Sequence, residues 1–371
     1  MEASIQETVP SQQAFFTPEM FAREQTERIV TPRGNLLIAG CCSGSYLSSR
    51  VVDHYKDMLT ASGSEETIVH LENIDRRFSD SESCVRLEMH VSGHDVYLFQ
   101  ALFDPTSDRP IDQNYMAFLI AARTFREHGA SHVTGVLPYL AYARQDKPTK
   151  FTREAVNARL MADLSITAGI DRLIVWDPHC DQIKGFYGGM PVSTLESLSL
   201  FIEHFGRFKN ADDVIAVAPD AGASKFVTHF GRGLNIKCAI ASKYRPHPEE
   251  VVVSEIIGDF DGKKKAIVLD DMVSNGGTTH ALIKKLVEEK GIEEVYLGAS
   301  HNLCVGKARE RFFDLHDNYR LKEVVVTNSI PQTCEFEDLP FVTVKCLSET
   351  MARTINRIHY NRSVSEAFYR P

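Results

Sequence analysis

No apolar run in this sequence approaches the roughly 18 residues that a bilayer-crossing helix requires. Positive charge is not in excess either. Lys and Arg number 41 against 50 Asp and Glu, a formal net charge of -9 with a pI near 5.9. A general nucleic-acid or anionic-membrane binder needs net local positive charge, so those classes are disfavoured, although a small basic pocket for a nucleotide is not. The eight Cys, at 41, 42, 84, 180, 238, 304, 334 and 346, form neither a CxxC pair nor a zinc-like Cys/His spacing. Without an evident signal peptide they are expected to be reduced thiols in a cytoplasmic protein. Leu37-Ile38-Ala39-Gly40-Cys41 has the look of a lipoprotein cleavage box. Its apolar stretch of about five residues is shorter than a secretory core, and it fits a first strand ending at a Gly turn better. No short fixed repeat is present, which excludes a solenoid.

What is present is an ordinary globular composition, 371 residues and 43% hydrophobic, long enough for two domains of roughly 150 residues. Residues 1–34 are polar, interrupted by Pro10, Pro18 and Pro32, and predict an extension with a short helix around 18–28. Short apolar runs then alternate with helical patterns. Strands are expected at 36–39, 95–102, 132–137, 173–176, 214–218, 238–241, 266–269, 294–298, 324–327 and 341–345. Helices are expected at 115–128, 153–168 and 280–290. Several strands are continuous Val/Ile/Leu runs, as parallel strands covered on both faces require. The expected fold is therefore α/β, two similar domains each with a mainly parallel sheet flanked by helices. Their expected bounds are 35–190 and 191–348, followed by a C-terminal helix and tail, 349–371, packed back on the first domain.

The most informative segment runs from Lys265 to Thr279. A buried strand ends in Asp270 and Asp271, passes through Ser274-Asn275-Gly276-Gly277-Thr278, and enters a helix with Leu282, Ile283, Leu286 and Val287 on one face. This order places backbone N–H groups at a helix N-terminus, where the helix dipole favours an anion. Two glycines let a phosphate approach the backbone. Asp270 and Asp271 could accept ribose hydroxyls or help to hold Mg²⁺. A plain strand–turn–helix would share the same pattern.

The Asp-Asp-x-x-x-x-Gly-Gly-Thr loop resembles the ribose-phosphate loop of phosphoribosyltransferases and ribose-phosphate pyrophosphokinases. Further segments select the pyrophosphokinases. They are Arg77-Phe78-Ser79-Asp80-Ser81-Glu82, Pro138–Lys147, Asp177-Pro178-His179-Cys180-Asp181-Gln182-Ile183-Lys184-Gly185-Phe186, Ala218–Lys225, Ser242–Pro246 and Val326–Pro331, in the family's order from about Asn35 to the C-terminus. That resemblance implies two phosphoribosyltransferase-like domains and an activity that moves the β,γ-diphosphoryl group of ATP to the C1 hydroxyl of ribose 5-phosphate. It implies Mg²⁺ as cofactor and a dimer-based homo-oligomer such as a hexamer.

The resemblance also assigns roles. Arg144, Gln145 and Asp146 bind ATP, from a polar turn after an apolar strand. Phe78, Asp80 and Glu82 serve the ATP site of a neighbouring subunit; in an extended strand their alternation puts them on one face. His179 contacts Mg²⁺ or the triphosphate, with Asp220 as a metal ligand from the second half. Asp220 is the better candidate because Mg²⁺ prefers oxygen. Asp270, Asp271, Ser274, Asn275, Gly276, Gly277 and Thr278 hold the ribose phosphate. Lys243 and Arg245, in a loop beyond the strand at 238–241, close over the transferring diphosphate as the catalytic cations; Lys225 is a weaker phosphate contact. Three departures stand out. Ser274-Asn275 replaces the family's Asp-Thr, Pro148–Phe151 is less charged and one residue longer, and Ala155 replaces a Pro. They leave open a non-catalytic regulatory subunit, a diphosphokinase for another sugar phosphate, and a phosphoribosyltransferase.

Overall fold

The computed structural model describes residues 31, 33–64, 67–149, 151–247 and 250–364, with side chains at all of these except 243–247 and 250–252. The helix expected around 18–28 lies outside the described residues. Two sheets carry the chain. The first has six parallel strands in the spatial order Val69–Leu71, Asn35–Gly40, His94–Phe99, His132–Leu137, Arg172–Trp176 and Val192–Leu195. The second has seven, in the order Glu250–Ile257, Lys237–His247, Val214–Ala218, Lys265–Val273, Glu294–Asn302, Leu321–Thr327 and Val342–Lys345. All neighbours in it pair in parallel except the first two, an antiparallel hairpin.

The continuous apolar strands explain the layering. Side chains alternate across a strand, so a run such as Leu36-Leu37-Ile38-Ala39 feeds both faces of its sheet. Leu37 and Ala39 join Val96, Leu98, Val133 and Leu173 on one side. Leu36 and Ile38 join Tyr97, Phe99, Ile174 and Trp176 on the other. The second sheet is covered in the same way, with Val268 and Leu297 on one face and Ile267 and Leu269 on the opposite one. Helices supply the covering layers. Ser45–Ser62 buries Leu47, Val51, Val52 and Tyr55, and ends at Gly63, whose φ of 68° is the left-handed conformation that glycine adopts without strain.

Several boundaries differ from expectation. The chain after Met190-Pro191 first makes Val192–Leu195, the edge strand of the first sheet, before the second sheet begins. Hydrophobic patterning cannot tell which sheet a short strand joins. The final helix, Ser348–His359, lies against Ser45–Ser62. It places Met351, Ala352, Ile355 and Ile358 in a core of the first sheet, and Asn356 Nδ2 donates to Tyr55 Oη at 3.0 Å. Strand 95–102 stops at Phe99 and the helix expected from Arg153 starts at Asn157. The strand expected at 238–241 continues to His247, so Lys243 and Arg245 sit on a strand of the hairpin, not in a loop. Extended backbone satisfied by a hairpin partner leaves no hydrophobic signature, which is why the sequence pattern stopped short.

A buried ionic cluster ties the segment before the first strand to the last helix. Arg33 donates to both oxygens of Asp95, at 3.0 and 2.9 Å, and Asp95 Oδ2 also contacts His359 Nδ1 at 2.8 Å and Tyr97 Oη at 3.1 Å. Thr31 Oγ1 donates to the His359 carbonyl at 2.7 Å. Burial raises the Asp95 pKa, but the hydrogen bonds from His359 and Arg33 outweigh it and hold the carboxyl below its ordinary value.

Candidate active site

Parallel strands place their carboxyl ends, and therefore their ligand-bearing loops, along one rim of each sheet. Strand Arg172–Trp176 ends in Asp177-Pro178-His179, and strand Lys265–Val273 carries Asp270 and Asp271 near its own end. The two rims meet through these residues. His179 Nδ1 lies 2.6 Å from Asp271 Oδ2. The hydrogen bond to Asp271 raises the His179 pKa against the opposing effect of burial. Burial, the largest influence on Asp271, pushes its carboxyl up, yet the hydrogen bond and charge of His179 bring it below the usual carboxylate range. The pair is a His–carboxylate contact between the two halves of the chain.

Arg144 and Asp146 lie close enough to His179 for their charges to act on it. Both leave the strand His132–Leu137 through a turn in which Tyr142 takes a φ of 65°. Gln145 Oε1 accepts from Asn157 Nδ2, and Glu154 accepts the Thr149 N–H at 2.9 Å. Arg144, Gln145, Lys147, Thr149, Glu154, Ala155 and Asn157 line a cleft of about 330 Å³.

The glycine-rich loop turns a strand directly into a helix. The strand runs through both acids to Val273, beyond the expected end at Leu269, and the helix starts at Gly277. Gly276 has φ 74°, a conformation that a side chain would strain. Asn275 Oδ1 accepts the Gly277 N–H at 3.0 Å, and the Asp270 carboxylate accepts the Asp271 N–H at 3.0 Å. Ser274 and Thr278 are half-buried beside them. At the end of Val214–Ala218, Asp220 Oδ1 accepts the Ala223 N–H at 3.1 Å, which fixes the turn into helix Ser224–Leu234. Lys225 opens that helix as its second residue.

The structure thus brings Arg144, Asp146, His179 and Asp271 together. Phe78, Asp80 and Glu82 are placed differently. Instead of alternating along a strand they form the tight turn between Asp75–Arg77 and Ser83–Val85, closed by Phe78 N–H to the Glu82 carbonyl at 2.9 Å. Asp80 Oδ1 accepts the Glu82 N–H at 3.1 Å, a side-chain turn that competes with the extended form. Phe78 is about half exposed, at 49%, and no hydrogen bond or ion pair between described residues joins this turn to His179 or Asp271. The side chains of Lys243 and Arg245 lie outside what the structure describes.

Two groups at the site carry no sequence signal of their own. Arg311, on helix Ala308–Asn318, donates from Nη1 to the Asn275 carbonyl at 2.6 Å. It lies 36 positions beyond the loop, and only the fold joins them. Buried His301, on strand Glu294–Asn302, bonds through Nε2 to the Asp177 carbonyl at 3.1 Å and through Nδ1 to Ser329 Oγ at 2.8 Å. Burial lowers its pKa, so the ring is neutral. A carbonyl only accepts, so Nε2 carries the proton and Nδ1 accepts from Ser329. Asp177 itself has φ 35°, and its half-buried carboxylate accepts the Ser197 N–H at 3.0 Å and the Ser300 hydroxyl; burial pushes its pKa up to about 6.

A basic loop, a His–carboxylate pair and a glycine-rich helix N-terminus stand at the strand ends of the two mainly parallel sheets of this α/β protein. Residues 43–169 match the model of the N-terminal domain of ribose phosphate pyrophosphokinase, and residues 219–369 the phosphoribosyl synthetase-associated domain. A ribose-phosphate pyrophosphokinase of Clostridium acetobutylicum is 37% identical over 293 residues, 79% of this chain and 88% of that protein. The Bacillus subtilis ribose-phosphate pyrophosphokinase is 36% identical over 294 residues, 79% and 87% of the two chains. The crystal structure of phosphoribosylpyrophosphate synthetase from Mycobacterium smegmatis superposes with a TM-score of 0.73 at 29% identity, covering 88% of this chain and 99% of that one. The chain belongs to the ribose-phosphate pyrophosphokinase family.

Proposed function

We propose that the protein transfers the β,γ-diphosphoryl group of ATP to the C1 hydroxyl of ribose 5-phosphate. The C1 hydroxyl oxygen gives up its proton to solvent and forms a bond to the β-phosphorus, the bond from the β-phosphorus to the α–β bridging oxygen breaks, and AMP leaves. The observation that carries this reading is the His179–Asp271 contact at 2.6 Å, which joins the turn after strand Arg172–Trp176, beside Arg144, to the strand that leads into Gly276 and Gly277. Each half alone would hold one anion. Joined, they hold two substrates side by side, and positioning is most of what phosphoryl transfer asks of a protein.

In this reading Arg144 and Gln145 hold ATP in their cleft, with Asp146 beside them. The amides from Ser274 to Thr278 receive the sugar phosphate, and Asp270 and Asp271 face the ribose hydroxyls. Lys243 and Arg245 offset the charge that builds on the transferring group. Among the described residues no three His, Cys, Asp or Glu side chains form a closed metal cage. Mg²⁺ keeps several waters and binds through one or two carboxylates plus substrate phosphates. Asp220 and His179 are the residues that would meet it. When bound, the ion neutralises polyphosphate charge. The exposed turn of Phe78, Asp80 and Glu82 supports a homo-oligomer in which it serves a neighbour. None of the described helices is long and apolar enough to cross a membrane, in keeping with action in the cytoplasm.

The test is AMP release from Mg-ATP with ribose 5-phosphate. Product that requires both substrates is expected. A folded protein that binds ATP but releases no AMP would overturn the proposal in favour of a non-catalytic subunit or another sugar phosphate.

A further inference from the structure

The glycine-rich loop is not held by its own backbone alone. Helix Ala308–Asn318 buries Ala308, Phe312 and Leu315 against the second sheet, which turns Arg311 toward the loop. Its guanidinium donates from Nη1 to the Asn275 carbonyl at 2.6 Å. The rest of the group lies along the mouth of the loop. A Cβ placed on Gly277 would sit 3.4 Å from Arg311 Nη1 and 3.7 Å from its Cζ, and one on Gly276 would sit 3.7 Å from Arg311 Cδ. Arg311 therefore packs over the two residues whose amides open helix Gly277–Lys290. Among the described residues it enters no ion pair, and the one hydrogen bond it donates uses one of five N–H groups.

That arrangement sets a planar cation beside an array of backbone donors with most of its own donors uncommitted. Ser274 and Asn275 bring no charge to the loop that would compete for the guanidinium.

We propose that Arg311 is a direct ligand of the terminal phosphate of the sugar-phosphate substrate. One edge of the guanidinium fixes the loop through Asn275, and the other meets phosphate oxygens that the loop amides hold from the far side. An Arg fork matches phosphate geometry, which a Lys reproduces only as a point charge. This inference rests on the ribose 5-phosphate reading above.

The experiment is steady-state kinetics of the full-length protein with each substrate varied in turn, for wild type, Arg311→Gln, Arg311→Lys and the loop variant Gly277→Asp, with thermal melts alongside. Arg311→Gln is expected to raise KM for ribose 5-phosphate by roughly ten- to a hundredfold, the size of a lost charge-assisted contact. KM for ATP and kcat should stay within about twofold of wild type, as loss of uniform substrate binding requires. Arg311→Lys should recover part of the affinity. If KM for ATP rises in place of KM for the sugar, the guanidinium serves the nucleotide and the proposal fails. If both constants rise together with a lower melting temperature, Arg311 only supports the loop, and the proposal fails equally. Wild type with no ribose 5-phosphate turnover would instead remove the reading beneath it. A sugar KM raised by Gly277→Asp but untouched by Arg311→Gln would leave that reading standing and refute Arg311 alone.

Discussion

Replacing His301 by Phe isolates what the buried relay beneath His179 contributes. The six-membered ring is slightly larger than the imidazole and keeps the edge contact with Tyr139, whose centroid lies 5.1 Å from that of the imidazole. It removes two hydrogen bonds, one at each nitrogen. They are not equally costly to lose. Ser329 Oγ has a second acceptor within reach, the Ser300 carbonyl at 3.1 Å, so its hydroxyl can turn and stay satisfied. The Asp177 carbonyl has only the His301 Nε2–H as its hydrogen-bond donor among the described residues. Losing the donor to this partly buried carbonyl costs up to about 1–3 kcal/mol, and no cavity is left because the new ring is slightly larger. At roughly 2–4 °C per kcal/mol for a domain of this size, the melt should move down by about 2–12 °C. Activity should fall further than stability. Asp177 holds φ 35°, a strained conformation that persists where its surroundings over-determine it, and His179 lies two residues on. The expected outcome is a drop in kcat at temperatures where the variant is fully folded, with Ser329→Ala affecting both quantities less. In a double-mutant cycle the Phe and Ala changes should be non-additive, since they share a bond. A Phe variant that melts and turns over like wild type would refute the argument.

Lys243→Ala should abolish turnover with ATP binding nearly intact, because its contact is strongest in the transition state; an unchanged kcat, read beside ATP titration, removes the role. Asp220→Ala should shift the Mg²⁺ titration of activity to higher concentration, and an unaltered curve would reassign the residue to holding its turn. Asp95→Asn breaks a buried ion pair and should lower stability by about 3–5 kcal/mol. The Asp95 pKa is depressed in the folded state, so its contribution is present above the ordinary 3.8 and lost as pH falls through the lower folded value. The gap between wild type and variant should therefore narrow only in acid, which denaturant unfolding across pH would show.

Much of the architecture was legible because buried parallel strands are written as apolar runs. His132–Leu137 and Val214–Ala218 begin and end where those runs do. The glycine-rich loop was legible for a related reason, since a strand, two acids, two glycines and an amphipathic helix must be consecutive in the chain to do their work. What could not be read is whatever depends on distance in space. Nothing at Arg311 announces the loop that it touches, and nothing at His301 announces Asp177. The hairpin of Lys237–His247 was cut short because its outer half carries polar residues paired by backbone alone. The alternation of Phe78, Asp80 and Glu82 misled, because a Ser-Asp-Ser sequence that favours a turn overrides a period-two pattern across five residues.

The helix Ser348–His359 completes a core whose strands are all made before the second sheet begins. During synthesis, one apolar face of the first sheet, with Ile38, Tyr97 and Ile174, thus has only helix Ser45–Ser62 and no final helix over it until almost the whole chain has left the ribosome. The first domain to be translated is the last to be finished. A stop codon or frameshift anywhere in the second half would leave an adhesive half-protein where two independently closing domains would have left a sound one.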